Sequence, residues 1–316
     1  MAEAERASQL SGSGSNGAKR DKIPTVSIGM PVYNGERFIR EALESLLNQT
    51  YRDFELIISD NASTDSTSAI CVEYAARDQR IRYIRQAENI GPSANFRFVF
   101  DESTGQYFMW AAHDDVRSLD YIEAALRCFK PNDACIAGSA DLVDWDGRLV
   151  RKMALSSFNK NACFKFFMES EYKSRTMYMY GVFSAAALRS ADWATISHEQ
   201  SYWHWNDAHF LYSILPFGAL RSLHGPYIIY KLKSDKASRK AASVKASWPR
   251  WKQLFLAHPP SYYKRYWALT PENQRVWLLL LIPVKVLKSQ LDIWAVVVKR
   301  LVALVARRCS GKESTG

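Results

Sequence analysis

The chain has 316 residues, 47% hydrophobic and 13% aromatic, and a net charge of +10. Its length and apolar content support a sizeable core and exclude an intrinsically disordered protein. Five cysteines with no paired short spacing exclude a zinc framework or a disulfide scaffold and read as reduced thiols.

Residues 1–22 lack an apolar stretch and are rich in Ser, Gly and Asn, which predicts a flexible tail, neither a secretory signal nor a membrane anchor. Val26 to Met30 is a β-type run stopped by Pro31. From Glu36 to Thr50, apolar residues fall at Phe38, Ile39, Ala42, Leu43, Leu46 and Leu47, a helical spacing. Phe54 to Ser59 reads as a second strand, followed by the turn Asp60 to Asp65. A helix is expected over Thr67 to Arg77, a short strand over Ile81 to Arg85 and a helix over Pro92 to Phe100. Tyr107 to Ala112 is a third hydrophobic strand running into His113-Asp114-Asp115. From Arg117 the chain reads as a loop entering a helix over Leu119 to Phe129. This alternation predicts a parallel sheet with crossover helices. Chemistry then belongs at the carboxyl ends of the strands. Three polar clusters lie there: Tyr33-Asn34, Asp60-Asn61 and Asp114-Asp115.

Beyond these, Ala134 to Val143 and Arg148 to Met153 flank a turn and predict a hairpin. Ala208 to Leu215 predicts a helix stopped by Pro216 and Gly218, and Tyr227 to Tyr230 a strand. The apolar run Val276 to Val284 is too short to span a bilayer and should be broken by Pro283. From Val284 to Arg308, charges at Lys285, Lys288, Asp292, Lys299, Arg300, Arg307 and Arg308 fall mostly on one helical stripe. That pattern suits an interfacial helix on a membrane, or a helix packed on the main domain or a second subunit. Eighteen Lys and Arg against four Asp and Glu lie from Lys231 to Gly316, a balance of +14, which leaves 24 basic and 28 acidic side chains in the first 230 residues. The basic segment seeks an anionic surface. Its interleaved aliphatic runs favour lipid over nucleic acid.

Asp114 and Asp115 raise the sharpest question. Adjacent carboxylates repel, and a hard divalent cation carrying a diphosphate removes that repulsion. The alternative is a solvated turn with an Asp capping a helix.

The stretches VSIGMPVYNGERFIREALESLLNQTYRDFELIISDNASTDST, ENIGPSANF and TGQYFMWAAHDDV, in that order and spacing, resemble the family 2 glycosyltransferases. Weaker likeness continues through DLVDWDGRLV and Tyr180-Gly181 to about Ser238. The resemblance implies an α/β GT-A nucleotide-sugar-binding fold with a mostly parallel central sheet, followed by a helical basic C-terminal extension. It implies a tail at 1–22, a glycosyltransferase domain at 23–240 with a nucleotide-binding half at about 23–116 and an acceptor half at about 117–240, and an extension at 241–316. Pro31, Tyr33 and Asn34 match the loop that contacts the nucleotide base. Asp60, with Asn61, matches the acid that accepts from the pyrimidine ring, and Asn95 borders the donor pocket. Asp115 matches a ligand of Mn²⁺ or Mg²⁺, and Asp114 a ribose or second metal contact. His113 is either an extra ligand or a packed loop residue. Ala112 and His113 stand where the family usually carries another acid. Asp207 matches the catalytic base that opens a late helix, with Asn206 replacing the commoner Glu. His198, Glu199, His204 and His209 are rivals, and Trp203 and Trp205 either stack on a sugar or belong to the core.

The implied reaction is inverting transfer from a nucleotide sugar, most simply a UDP-sugar, to a glycan or lipid-linked hydroxyl in surface polysaccharide or glycolipid assembly. It would take place in the cytoplasm at the inner membrane face. The alternative is an inactive nucleotide-sugar-binding or scaffolding subunit. No G-x-G-x-x-G follows the first strand, which disfavours a dehydrogenase. PVYNGERF is not the Gly-rich basic loop of a nucleotidyltransferase.

Overall fold

The computed structural model describes residues 23–144, 148–160, 162–169, 174–194, 203–231, 260–288 and 291. Strand β1 (Val26–Val32) and strand β2 (Phe54–Asp60) are buried along their whole length. Continuous apolar runs of this kind belong to parallel strands covered on both faces. β1 pairs in parallel with β2 and with β4 (Tyr107–Trp110), and β2 with β3 (Ile81–Arg85). The crossovers are α1 (Ile39–Leu47), α2 (Thr67–Arg77) and α3 (Pro92–Asp101).

The complete sheet runs β3-β2-β1-β4-β8-β6-β9-β5, with β7 beside β6. Here β5 is Asp115–Arg117, β6 Asp133–Val143, β7 Leu149–Met153, β8 Val182–Ser184 and β9 Ala219–Lys231. β6 and β7 form the expected hairpin. Asp115 to Arg117 form a separate strand, β5, antiparallel to β9, with Asp115 opposite Tyr230, so Arg117 is strand where a loop was expected to begin. Three residues are too few to show a period in sequence, and β8 escaped notice for the same reason. The chain leaves the sheet's centre at Trp110 and rejoins its far edge at Asp115. The sheet therefore curls, and that curl brings the acid pair over the carboxyl ends of β1 and β4.

One face of the sheet packs on α1, α2 and α4 (Tyr121–Cys128) through Ile28, Met30, Leu43, Leu46 and Ile122. The other face is aromatic. Trp110, wholly buried, meets Phe100, Phe108, Phe183 and Phe210, with ring centroids between 4.8 and 6.3 Å.

The C-terminal helices complete this aromatic layer. Helix α5 spans Cys163–Met168, and α6 spans Ala185–Arg189 after β8. Helix α7 spans Trp203–Ile214, α8 Pro260–Leu269, and α9 residues 275–288. Tyr266 of α8 stacks edge-on against Tyr212 at 4.7 Å and lies 4.6 Å from the His209 ring. Pro283 does not break α9, which runs through it. Lys285 and Lys288, expected on the charged stripe of an interfacial or domain-packed helix, turn inward. Lys285 is wholly buried and donates to the Glu169 carbonyl at 2.5 Å, and Lys288 donates to the Met168 carbonyl at 2.7 Å. These carbonyls close α5, where cations meet the negative end of the helix dipole. Residues 292–308 of the expected interfacial helix lie outside the described residues. Among the described residues, no helix is long and apolar enough to cross a membrane.

Candidate active site

The loops after β1 and β2 are zipped together by side chains reaching backbone. Asn34 N–H donates to Ser63 Oγ and Asn34 Oδ1 accepts from Thr64 N–H, each at 2.9 Å. Gly35 N–H donates to Thr67 Oγ1 at 2.8 Å, and Glu36 N–H donates to Asp65. Asn34 and Ala62 hold positive φ angles of 50° and 59°, a conformation that asparagine tolerates better than most residues. The zipper leaves Tyr33 and Asn34 exposed at the crevice, with Pro31 buried beneath them.

Asp60, Asn61 and Asn95 are buried at the floor of this crevice. Asp60 is wholly buried, and its oxygens accept from Ser63 N–H and the Tyr83 hydroxyl at 2.9 Å, with Arg85 3.8 Å away. Asn61 donates to Asn89 Oδ1 and accepts from Ile90 N–H. Asn95 accepts from Ser59 Oγ and donates to the Ser59 carbonyl. All three side chains build the cradle from beneath and present no surface of their own, because strand ends buried this deeply must satisfy their polar groups internally. Under them, burial lifts the Cys71 thiol to about 12, with the charges of Asp60 and Asp65 adding to it.

The acid pair closes the crevice. Asp114 is half-buried and Asp115 buried. The His113 ring covers Gly35 so closely that a Cβ there would sit 2.7 Å from it. This is the packed-loop outcome for His113, and it locks the acid loop onto the β1 loop. Arg117, two residues beyond Asp115 on the same face of β5, is also buried and donates to the Trp110 carbonyl at 2.8 Å. A cation so placed offsets the cost of burying an acid.

Asp207 reaches the same region from α7. It stands one turn inside the helix rather than opening it, so the helix dipole's first turn does not account for it. Burial alone pushes its carboxyl up to about 7. Tyr180 links the two sides. Burial lifts its hydroxyl far above the ordinary range, and the charges of Asp115, Asp207 and Asp114 lift it further. Tyr180 packs against Tyr230, ring centroids 6.0 Å apart, and Asp115 also bears on Tyr230. The Tyr230 hydroxyl has no hydrogen-bond partner among the described residues. The charges of an adjacent acid pair and of one carboxylate distant in sequence thus bear on one tyrosine. Tyr180, Tyr230 and Arg117 were missed in the sequence; only the likeness at Tyr180-Gly181 hinted at the first. Gly181 follows because a Cβ there would meet Cys135 Sγ and the Ile136 carbonyl at 2.7 Å.

Of the rival bases, His209 is buried against Tyr266. His198 and Glu199 lie outside the described residues, as do the side chains of Trp203, His204, Trp205 and Asn206.

Residues 27–195 match the model of the family described as glycosyl transferase family 2. The chain belongs to that family. It is 35% identical over 141 residues to an uncharacterized glycosyltransferase of Rickettsia bellii, covering 42% of this chain and 20% of that protein. It is 36% identical over 117 residues to glycosyltransferase GlyA of Streptococcus pneumoniae, covering 37% of this chain and 16% of that one. The matched part is thus about a fifth of each relative's length. Among solved structures, S. aureus TarS 1-349 in complex with UDP-GlcNAc superposes with a TM-score of 0.55 at 16% identity, covering 81% of this chain and 70% of that one. The fold is that of the GT-A glycosyltransferases.

Proposed function

We propose that this family 2 glycosyltransferase is inverting and moves a sugar, most simply from a UDP-sugar, to a hydroxyl on a glycan or lipid-linked acceptor. The carrying observation is Asp207, poised near neutrality, across Tyr180 from Asp114 and Asp115. Tyr33, Asn34 and Pro31 receive the nucleoside, on a cradle that Asp60, Asn61 and Asn95 hold rigid. Asp207 takes the acceptor proton as general base. The freed oxygen bonds to the anomeric carbon as the bond to the diphosphate breaks, and the nucleoside diphosphate leaves with that electron pair. The crevice aligns the two partners, which supplies much of the remaining acceleration.

A divalent ion fits the donor set. Among the described residues no third His, Cys, Asp or Glu joins the acid pair, but Mg²⁺ or Mn²⁺ needs only one or two carboxylates when phosphate oxygens and water complete its shell. Asp115 and Asp114 would hold it, and when bound it neutralises charge developing on the diphosphate. The halves 23–116 and 117–240 divide donor from acceptor binding, and the basic extension 241–316 holds the enzyme at the inner membrane face, where surface polysaccharide or glycolipid is assembled.

The test is a thermal-shift and turnover panel of nucleotide sugars with Mn²⁺. A donor at a hundred times its Kd should stabilise the fold by about 2.7 kcal/mol, and EDTA should stop turnover. Release of pyrophosphate in place of nucleoside diphosphate would refute the reading. Binding without any hydrolysis or transfer would mark an inactive nucleotide-sugar-binding subunit.

A further inference from the structure

Helix α9 inverts the usual arrangement of a surface helix. Its cations face the protein: Arg275 donates to the Thr270 carbonyl, and Lys285 and Lys288 donate to the end of α5. Leu278, wholly buried, anchors the same side, with Leu281 and Ile282 packed against the aromatic layer. The opposite arc carries Val276, Trp277, Leu280, Val284 and Leu287, each more than half exposed. At 100° per residue these positions fall on one side of the helix, and no charged residue interrupts them. A contiguous apolar stripe of this size marks an interaction surface.

We infer that this outward arc of α9 is the surface by which the protein docks on an anionic phospholipid bilayer, apolar side chains inserted and α9 lying in the interface plane. This deepens, and rests on, the membrane-face part of the reading above, and it assigns the contact to different residues from those the charge pattern suggested. Charge selects the occupant. The segment Lys231–Gly316 carries a balance of +14, which an anionic bilayer attracts and a second copy of the chain repels. Trp277 stands at the margin of the arc, and tryptophan favours the headgroup level. The pinned lysines keep the arc turned outward without lipid contact of their own. The placement also orients the site: α8, which braces the Asp207-bearing α7 through Tyr266, leads through Thr270 directly towards α9.

The experiment compares the full chain with the Leu280→Glu/Leu287→Glu variant on phosphatidylcholine vesicles with and without phosphatidylglycerol. The unaltered protein should sediment with the anionic vesicles, and the variant should lose at least about tenfold in partitioning with an unchanged melting temperature in solution. Three results would overturn the inference: equal sedimentation; a lowered melting temperature, meaning the chain's own residues cover the arc; or a dimer that the variant dissociates, meaning a second copy does. Sedimentation needs no turnover. A protein that docks but transfers no sugar refutes the enzyme reading alone, and one that transfers sugar to a soluble acceptor but never docks refutes this inference alone.

Discussion

The β1–β4 half and helix α9 are both rich in apolar residues, yet those residues mean different things in each. In the first, apolar residues mark the core, as in β1 and β2, buried throughout. In α9, an apolar arc faces outward while Lys285 is buried and Lys288 partly so. Periodicity reports that a segment has two faces; it does not report which face meets the protein. Where a single core competes for the apolar face the answer is unambiguous, and where carbonyl ends offer partners to cations it is not.

The acceptor side should break most sharply. Asp207→Asn is expected to lower transfer by about 10²–10⁴-fold, with nucleotide affinity, measured calorimetrically, unchanged. Loss of nucleotide binding would mean the two halves are not separable in this way. The aromatic layer behind both halves comes next: Trp110→Ala should cost about 3–5 kcal/mol in denaturant unfolding, because six other rings pack on it.

The Asp207 carboxyl gives a pH test with a definite sign. Its folded value near 7 lies above the ordinary 3.8, so ionisation opposes folding. The cost is absent below the ordinary value, grows as pH rises between the two, and is complete above 7. Asp207→Asn should therefore raise thermal stability at pH 8, by up to a few kcal/mol, and not at pH 3.5. The unaltered enzyme's transfer rate should fall as pH drops through 7, because the base must be ionised.

Smaller effects are expected in the zippered loops. Asn95→Ala removes two buried hydrogen bonds to Ser59 and should cost about 1–3 kcal/mol. Asn34→Ala, which loses the bond to Thr64 at a positive φ, should cost about 1–2 kcal/mol. Asn34→Gly should recover part of it by relieving the backbone. Equal losses for alanine and glycine would mean the hydrogen bond alone matters.

Much of the nucleotide-binding half was legible in the chain. The expected spans Thr67–Arg77 and Ile81–Arg85 are those of α2 and β3; β1 and β2, buried throughout, read as unbroken apolar runs. The acids at the strand ends were visible for the same reason. The convergence of Tyr180, Tyr230 and Arg117 on those acids was not. β5 is three residues long, and its partner β9 lies far along the chain.

Apolar runs and helical periods in the sequence by themselves marked the first strands and their crossover helices, and thus a parallel sheet. Only the folded sheet decided what the acid pair faces, because its curl joins Asp115 to Tyr230 and brings Asp207 within reach of Tyr180. The same holds for α9: its orientation came from buried carbonyls at the end of α5, partners that no periodicity within the helix can encode.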